Sequence, residues 1–160
     1  MEAQSNELNH TQGIRHLSYG RGGTGCCLHH EEEHVISTVI HTTNAPAAVG
    51  PYSQAIDCGD FVFCSGQIPL VTETGLIVEG GIEAQARQMF SNIKAVLNAA
   101  GLDFTNVVKT TVFMTDLTQF STLNGIYAEY FPGNPPARSC VEVSNLPKGA
   151  LVECEVIAKK

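Results

Sequence analysis

From Thr42 to the C-terminus the chain contains no histidine. All six (His10, His16, His29, His30, His34, His41) fall in the first 41 residues. The body of the protein therefore has no imidazole base and no Ser-His-Asp triad, unless the N-terminal segment folds back onto it. There is no apolar run near the ~20 residues a membrane-spanning helix needs, and no apolar core for a secretory signal. Basic residues are also few: nine against sixteen acidic ones in 160, for a net charge of −7 and a pI near 5.2. A duplex nucleic-acid binder usually presents a basic patch, so nucleic acid is not the expected partner. Six cysteines (Cys26, Cys27, Cys58, Cys64, Cys140, Cys154) are too few for a disulfide scaffold in a chain of this length. Three of them sit inside strand-like patterns, and we read them as reduced thiols of a cytoplasmic protein. Carboxylates, hydroxyls, thiols, Arg138 and backbone groups remain for chemistry.

Residues 1–34 read as a tail, disordered or added in expression. They are rich in Asn, Gln, Ser, Gly and His and show no sustained periodicity. His30-Glu31-Glu32-Glu33-His34 matches the H-E-x-x-H expression of zinc proteases, which works when one helix face carries both histidines and a third ligand arrives from elsewhere. Here it follows Gly-rich sequence at a domain edge, so no catalytic metal is expected. Gly20-Arg21-Gly22-Gly23-Thr24-Gly25 lacks the Gly-Lys-Ser/Thr ending of a phosphate loop and reads as linker.

Residues 35–160 read as one domain. Val35 to His41 is β-branched and strand-like. A Pro/Gly loop follows, then strands over Ser53 to Asp57 and Phe61 to Gln67 joined by the Cys58-Gly59-Asp60 turn. A short extended segment, Leu76 to Val78, comes next. Between Gly81 and Ala100, Ile82, Ala86, Met89, Phe90, Ile93, Val96, Leu97 and Ala100 form one apolar stripe at helical spacing. Gln85, Arg87, Gln88, Asn92, Lys94 and Asn98 lie off it, and Gly101 is the stop. Val107 to Met114 is strongly β-forming. Asp116 with Gln119 suggests a capping box for a second helix striped by Phe120, Leu123, Tyr127 and Phe131.

Pro135-Pro136 then gives way to alternation: Ala137, Ser139, Val141 and Val143 point one way, Arg138, Cys140 and Glu142 the other. Leu151 to Ala158 alternates in the same manner, with Val152, Cys154 and Val156 opposite Glu153 and Glu155. If these two strands pair through the Asn145–Gly149 turn, Arg138 and a glutamate share a face, a plausible place to hold a small acid and move a proton. Two striped helices and these strands predict an α+β fold, a mixed sheet with both helices on one face. Arg138, Cys140, Glu153 and Glu155 are expected on the other face. Phe61 and Phe63, or else Val62 and Cys64, must join them, so that face is expected to be covered by another subunit.

Four stretches in order, Asn44-Ala45-Pro46-Ala47-Ala48-Val49-Gly50-Pro51-Tyr52-Ser53-Gln54-Ala55, Ser65-Gly66-Gln67-Ile68-Pro69, Val108-Lys109-Thr110-Thr111-Val112-Phe113 and Pro136-Ala137-Arg138-Ser139-Cys140-Val141-Glu142-Val143, resemble the Rid/YjgF family of reactive-intermediate deaminases. That family is also catalogued as L-PSP endoribonucleases or translation inhibitors. The resemblance spans about residues 35–160 and implies a chorismate-mutase-like homotrimer with three intersubunit clefts. It implies hydrolysis of 2-imino or enamino acids, such as 2-iminobutanoate, to 2-oxo acids and ammonia, with no metal or organic cofactor. By position, Arg138 matches the arginine that grips the substrate carboxylate, and a planar guanidinium suits that task. Glu153 matches the glutamate that orients or activates water. Cys140 matches a residue contacting ligand through its backbone. Tyr52, Ser65, Gly66 and Asn124 match cleft positions, Tyr52 reaching in from a neighbouring subunit. Glu142 and Glu155 read as structural. Two other functions stay open at this point: ribonuclease action with inhibition of translation, and a non-catalytic small-acid-binding or chaperone-like trimer.

Overall fold

The computed structural model describes residues 37–160. The His30–His34 motif, the Gly-rich stretch, Cys26 and Cys27 lie outside the described residues. The chain runs β1 (Thr38–Ile40), β2 (Ala55–Asp57), β3 (Phe61–Gln67), α1 (Ile82–Ala99), β4 (Val107–Met114), α2 (Phe120–Tyr130), β5 (Ala137–Glu142) and β6 (Val152–Lys159). The strands form one mixed sheet in the order β1-β2-β3-β6-β4-β5. Every adjacent pair is antiparallel except β4–β5, the parallel pair that brackets α2, as a β-α-β unit requires.

Both helices cover one face. Ile82, Ala86, Met89, Phe90, Ile93, Val96 and Leu97 of α1 are buried with Val62 and Cys64 of β3, Val112 and Met114 of β4, and Val152, Cys154, Val156 and Ala158 of β6. Phe90 is the hub between the helices: its ring stacks on Tyr130 at 4.4 Å and meets Tyr127 edge-on at 5.8 Å. Arg87 reaches across from α1 to grip both carboxylate oxygens of Glu129 at 2.6 and 2.9 Å. Gly101 ends α1 in the left-handed region (φ 73°), where a Cβ would be strained. No helix among the described residues is long and apolar enough to cross a membrane.

Three expectations need correction. Leu76 to Val78 forms no strand; Ile77 makes a single bridge to Leu70. Asp116 accepts from Thr118 N at 2.8 Å and caps a short 3-10 turn, Leu117–Gln119, with α2 beginning after it. Most consequential, β5 and β6 do not pair: β6 lies between β3 and β4, and β5 is an edge strand bonded only to β4. The reason is burial. β6 places four apolar side chains under the helices, so it gains most as a central strand, whereas Ala137, Ser139 and Val141 of β5 stay exposed.

That placement decides the faces. Val112, fully buried in the helix-side core, pairs with Cys140 on one side and Cys154 on the other. Residues in register share a face, so Cys140, and with it Arg138, points toward the helices. Glu153 and Glu155 point away. On that open face Val39, Ile56, Phe63 and Ile157 are in register across four strands. Val39 is 61% exposed and Phe63 47%.

Candidate functional site

Glu153 stands on the open face at the start of β6, above an irregularity in β3. Cys64 pairs with Val156 and Gln67 with Cys154, so Ser65 and Gly66 bulge where β6 runs straight. Such bulges re-aim backbone and side chains near functional sites. A Cβ on Gly66 would overlap Glu153 Oε1 and come within 2.9 Å of its Cδ. The carboxylate therefore rests on bare glycine backbone. Burial, with repulsion from Glu155 second, holds the Glu153 carboxyl above the usual glutamate range.

Around Glu153 lies a cavity of about 470 Å³ lined also by Tyr52, Ser65, Gly66, Glu155 and Lys148. Ser65 Oγ donates to Ser53 O at 2.6 Å. Its proton is thus committed, and its lone pairs remain available as acceptors. Tyr52 Oη accepts from Val49 N at 3.1 Å, which fastens the phenol to its own loop. Tyr52 belongs to the same cavity wall as Glu153 in one chain, so between these two residues no second subunit is needed.

Arg138 is elsewhere. Its guanidinium lies 4.5 Å from the ring centroid of Tyr127 and 5.3 Å from that of Phe120, both on α2. Cys140 packs against the core beside it, and burial pushes its thiol pKa up, which makes it a poor nucleophile. Asn124, half-buried, falls between Phe120 and Tyr127 at i+4 and i−3 on the same helix face. The expected grouping of Arg138 and Cys140 with Glu153 and Glu155 on one face is therefore corrected. Arg138, Cys140 and Asn124 lie on the helix side of the sheet; Tyr52, Ser65, Gly66 and Glu153 line the cavity on the other side. They lie on opposite faces of the sheet, two strands apart, which is roughly 10 Å at standard strand spacing. No small acid bridges them within one chain.

Glu142, read as structural, accepts from Leu117 N at 2.8 Å and caps the turn before α2. Glu155, read the same way, lines the cavity instead.

Residues missed from sequence are amides. Gln54, 2% exposed, accepts from Thr42 N at 2.7 Å and donates to the carbonyls of Thr42 (3.1 Å) and Pro46 (2.8 Å). It splints the loop leading to Tyr52. Asn92 and Gln85, expected on the polar side of α1, are buried. Asn92 Nδ2 donates to Ile68 O and Leu70 O at 3.0 and 2.9 Å, and Gln85 Oε1 accepts from Leu151 N at 2.8 Å. Together they anchor the Ile68–Leu70 wall and the entry to β6. A near-continuous apolar stripe hides such amides, because spacing reports which side is apolar and not which loops need donors. Gln54→Ala leaves an N–H and two carbonyls without partners. It is expected to destabilise the fold by about 2–4 kcal/mol, read as a lower urea midpoint with an unchanged slope.

Among the described residues no cluster of His, Cys, Asp and Glu is arranged to hold a metal ion.

The family model described as Endoribonuclease L-PSP matches residues 42–160. The chain is 48% identical over 124 residues to a 2-iminobutanoate/2-iminopropanoate deaminase of Mus musculus, spanning 78% of this chain and 92% of that protein. Its fold is similar to that of a protein of the conserved Rid family from Yersinia pestis, at 55% identity and a TM-score of 0.76, over 78% of this chain and all of that one (100%). It is also similar to TdcF of E. coli with bound serine, at 44% identity and a TM-score of 0.74, over 77% and 98% of the two chains.

Proposed function

This chain belongs to the Endoribonuclease L-PSP family, which includes the Rid proteins, and from that membership we propose that it is a deaminase of small 2-imino acids, 2-iminobutanoate among them. The observation that carries the reading is the Glu153 carboxylate, raised in pKa and bedded on Gly66 in a cavity wide enough for a small acid. The relatives named imine deaminases supply the substrate class, and the neighbour solved with bound serine holds a small acid of similar size.

The working site is composite. The row Val39, Ile56, Phe63 and Ile157, exposed at Val39 and Phe63 and half-buried at the two isoleucines, is an apolar face of the kind that marks an interface, and the homotrimer implied by the family resemblance is the assembly that closes it. In that assembly Arg138 of one chain faces the Glu153 cavity of the next. Arg138, held beside the Tyr127 and Phe120 rings, grips the substrate carboxylate. The free edge of β5 offers backbone N–H groups beside it, which gives Cys140 its main-chain role.

Glu153 takes a proton from water as the water oxygen bonds to the imine carbon. The proton passes on to nitrogen, giving a carbinolamine; Glu153 then moves the hydroxyl proton to nitrogen as the C–N bond breaks, and 2-oxobutanoate and ammonia leave. The lone pairs of Ser65 Oγ suit an iminium or ammonium N–H. Imine carbon is already electrophilic, so positioning and one carboxylate suffice without histidine.

Decay of 2-iminobutanoate, followed by semicarbazide trapping, tests this. Wild-type protein is expected to accelerate the loss, and no acceleration would overturn the proposal. RNA cleavage that survives purification and disappears in Arg138→Ala would favour the ribonuclease reading that the family description suggests.

The pH profile follows from the site. Glu153 acts ionised, so activity is lost as pH falls through its raised pKa. The acid limb of kcat/KM is expected above the ordinary glutamate range. Glu155→Gln removes one of the two causes of the raised pKa and moves that limb to lower pH. An unmoved limb would exclude repulsion from Glu155 as a cause of the shift.

A further inference from the structure

Lys148 is the one cationic side chain among the residues that line the Glu153 cavity. It sits in the turn joining β5 to β6, exposed, with its backbone in the left-handed region (φ 57°, ψ 17°). No other non-glycine residue among the described ones has positive φ. A lysine held there against its preference has its direction set by the turn. Its Nζ donates to Gly75 O at 2.9 Å, which ties the side chain of this cavity-lining residue to the neighbouring loop.

The electrostatic setting gives that position a purpose. The cavity carries Glu153 and Glu155, and the chain carries a net charge of −7. A 2-imino acid carries a carboxylate and, with its imine unprotonated, is an anion. Approaching this wall, it meets two carboxylates before it meets Arg138, which stands on the opposite face of its own sheet. An anion entering such a mouth is slowed unless a cation offsets the field.

We propose that Lys148 is the entry cation of the site: it attracts the substrate carboxylate to the cavity mouth and hands it on to Arg138, taking no part in the chemical step. The proposal rests on the deaminase reading for its substrate and goes beyond it in assigning how that anion is admitted. The alternative role is mechanical, in which the bond to Gly75 O merely ties two loops together.

Ionic strength separates the two. Lys148→Gln is expected to lower kcat/KM for 2-iminobutanoate about 3- to 10-fold at 10 mM salt, where the Debye length is about 30 Å, with kcat unchanged. At 1 M salt, with a Debye length of about 3 Å, the variant and wild type converge. Lys148→Arg retains the wild-type value at low salt. Equal kcat/KM at low salt, or a loss that persists at 1 M, overturns the proposal; the second outcome would assign the mechanical role.

Ligand binding by calorimetry distinguishes failure of this proposal from failure of the deaminase reading. Wild-type protein is expected to bind 2-oxobutanoate more tightly than Lys148→Gln at low salt only, while the neutral 2-oxobutanamide shows no difference between the two proteins. If wild type does not turn over 2-iminobutanoate but this binding pattern holds, the entry cation stands and the deaminase does not. Absence of 2-oxobutanoate binding by wild type overturns the entry role.

Discussion

Arg138→Ala and Glu153→Gln chains, each nearly inactive alone, are expected to regain activity when unfolded together and refolded as a mixture. Taken singly, Arg138→Ala removes the carboxylate anchor and is expected to lower kcat/KM about 10²- to 10³-fold, as truncation of one partner of a buried charged pair does. Glu153→Gln keeps the shape and removes the base, for a loss in kcat of about 10²- to 10⁴-fold. If the two groups worked within one chain, every site in the mixture would carry one defect. The structure places them on opposite faces of one sheet, with Arg138 beside the α2 rings and Glu153 over Gly66, so each site would draw them from different chains. A site is then intact when its Glu153 comes from an Arg138→Ala chain and its Arg138 from a Glu153→Gln chain. Random assembly of an equimolar mixture makes about a quarter of the sites intact. A mixture no more active than its components, with mixed trimers verified by native mass, would exclude the composite site. Arg138→Lys is not expected to rescue the single defect, since an ammonium neither offers Tyr127 a planar face nor makes two parallel bonds to a carboxylate.

Gly66→Ala is expected to abolish most activity without unfolding the protein. The added Cβ would occupy the space of Glu153 Oε1. The obstacle is the far end of a flexible side chain, so the carboxylate swings aside and the strand stays. We expect kcat to fall about 10²-fold, near the lower end of a lost general base, with thermal stability little changed. Combining Gly66→Ala with Glu153→Gln gives the sharper measurement. Because both act through one carboxylate, the double variant should be no slower than the slower single one. Multiplied losses, or a Gly66→Ala enzyme within twofold of wild type, would show that the close approach of Glu153 to Gly66 does not matter to turnover.

Some of this was legible residue by residue. The α1 stripe from Ile82 to Leu97 and the β-branched run Val107 to Met114 lie where the structure has them, because long periodic segments report their own conformation and their buried side. Two striped helices required one covered face, and alternation in β3 left either Phe61 and Phe63 or Val62 and Cys64 for the other; burial of Val62 and Cys64 in the structure gives that face to the phenylalanines. What alternation does not carry is which strand lies beside which. Residues 137–143 and 151–158 looked like a hairpin because a short turn joins them. Pairing went instead to burial: Val152, Cys154, Val156 and Ala158 made β6 central, and the weakly apolar β5 was left at the edge. That single exchange moved Arg138 to the helix side. A charged residue facing two aromatic rings is invisible to a pattern that sends charge to water. Gly66 illustrates the opposite limit, since only coordinates reveal that its missing Cβ is the space Glu153 occupies.

The placement of Arg138 and Glu153 on opposite faces also bears on dilution. On the composite-site proposal, a folded but solitary chain has every side chain of the site and no site. Specific activity then tracks the association equilibrium rather than the folding equilibrium: it should fall as the protein is diluted below the trimer dissociation constant, while circular dichroism stays constant, and return on reconcentration. Newly made chains would begin silent and switch on as their numbers grow.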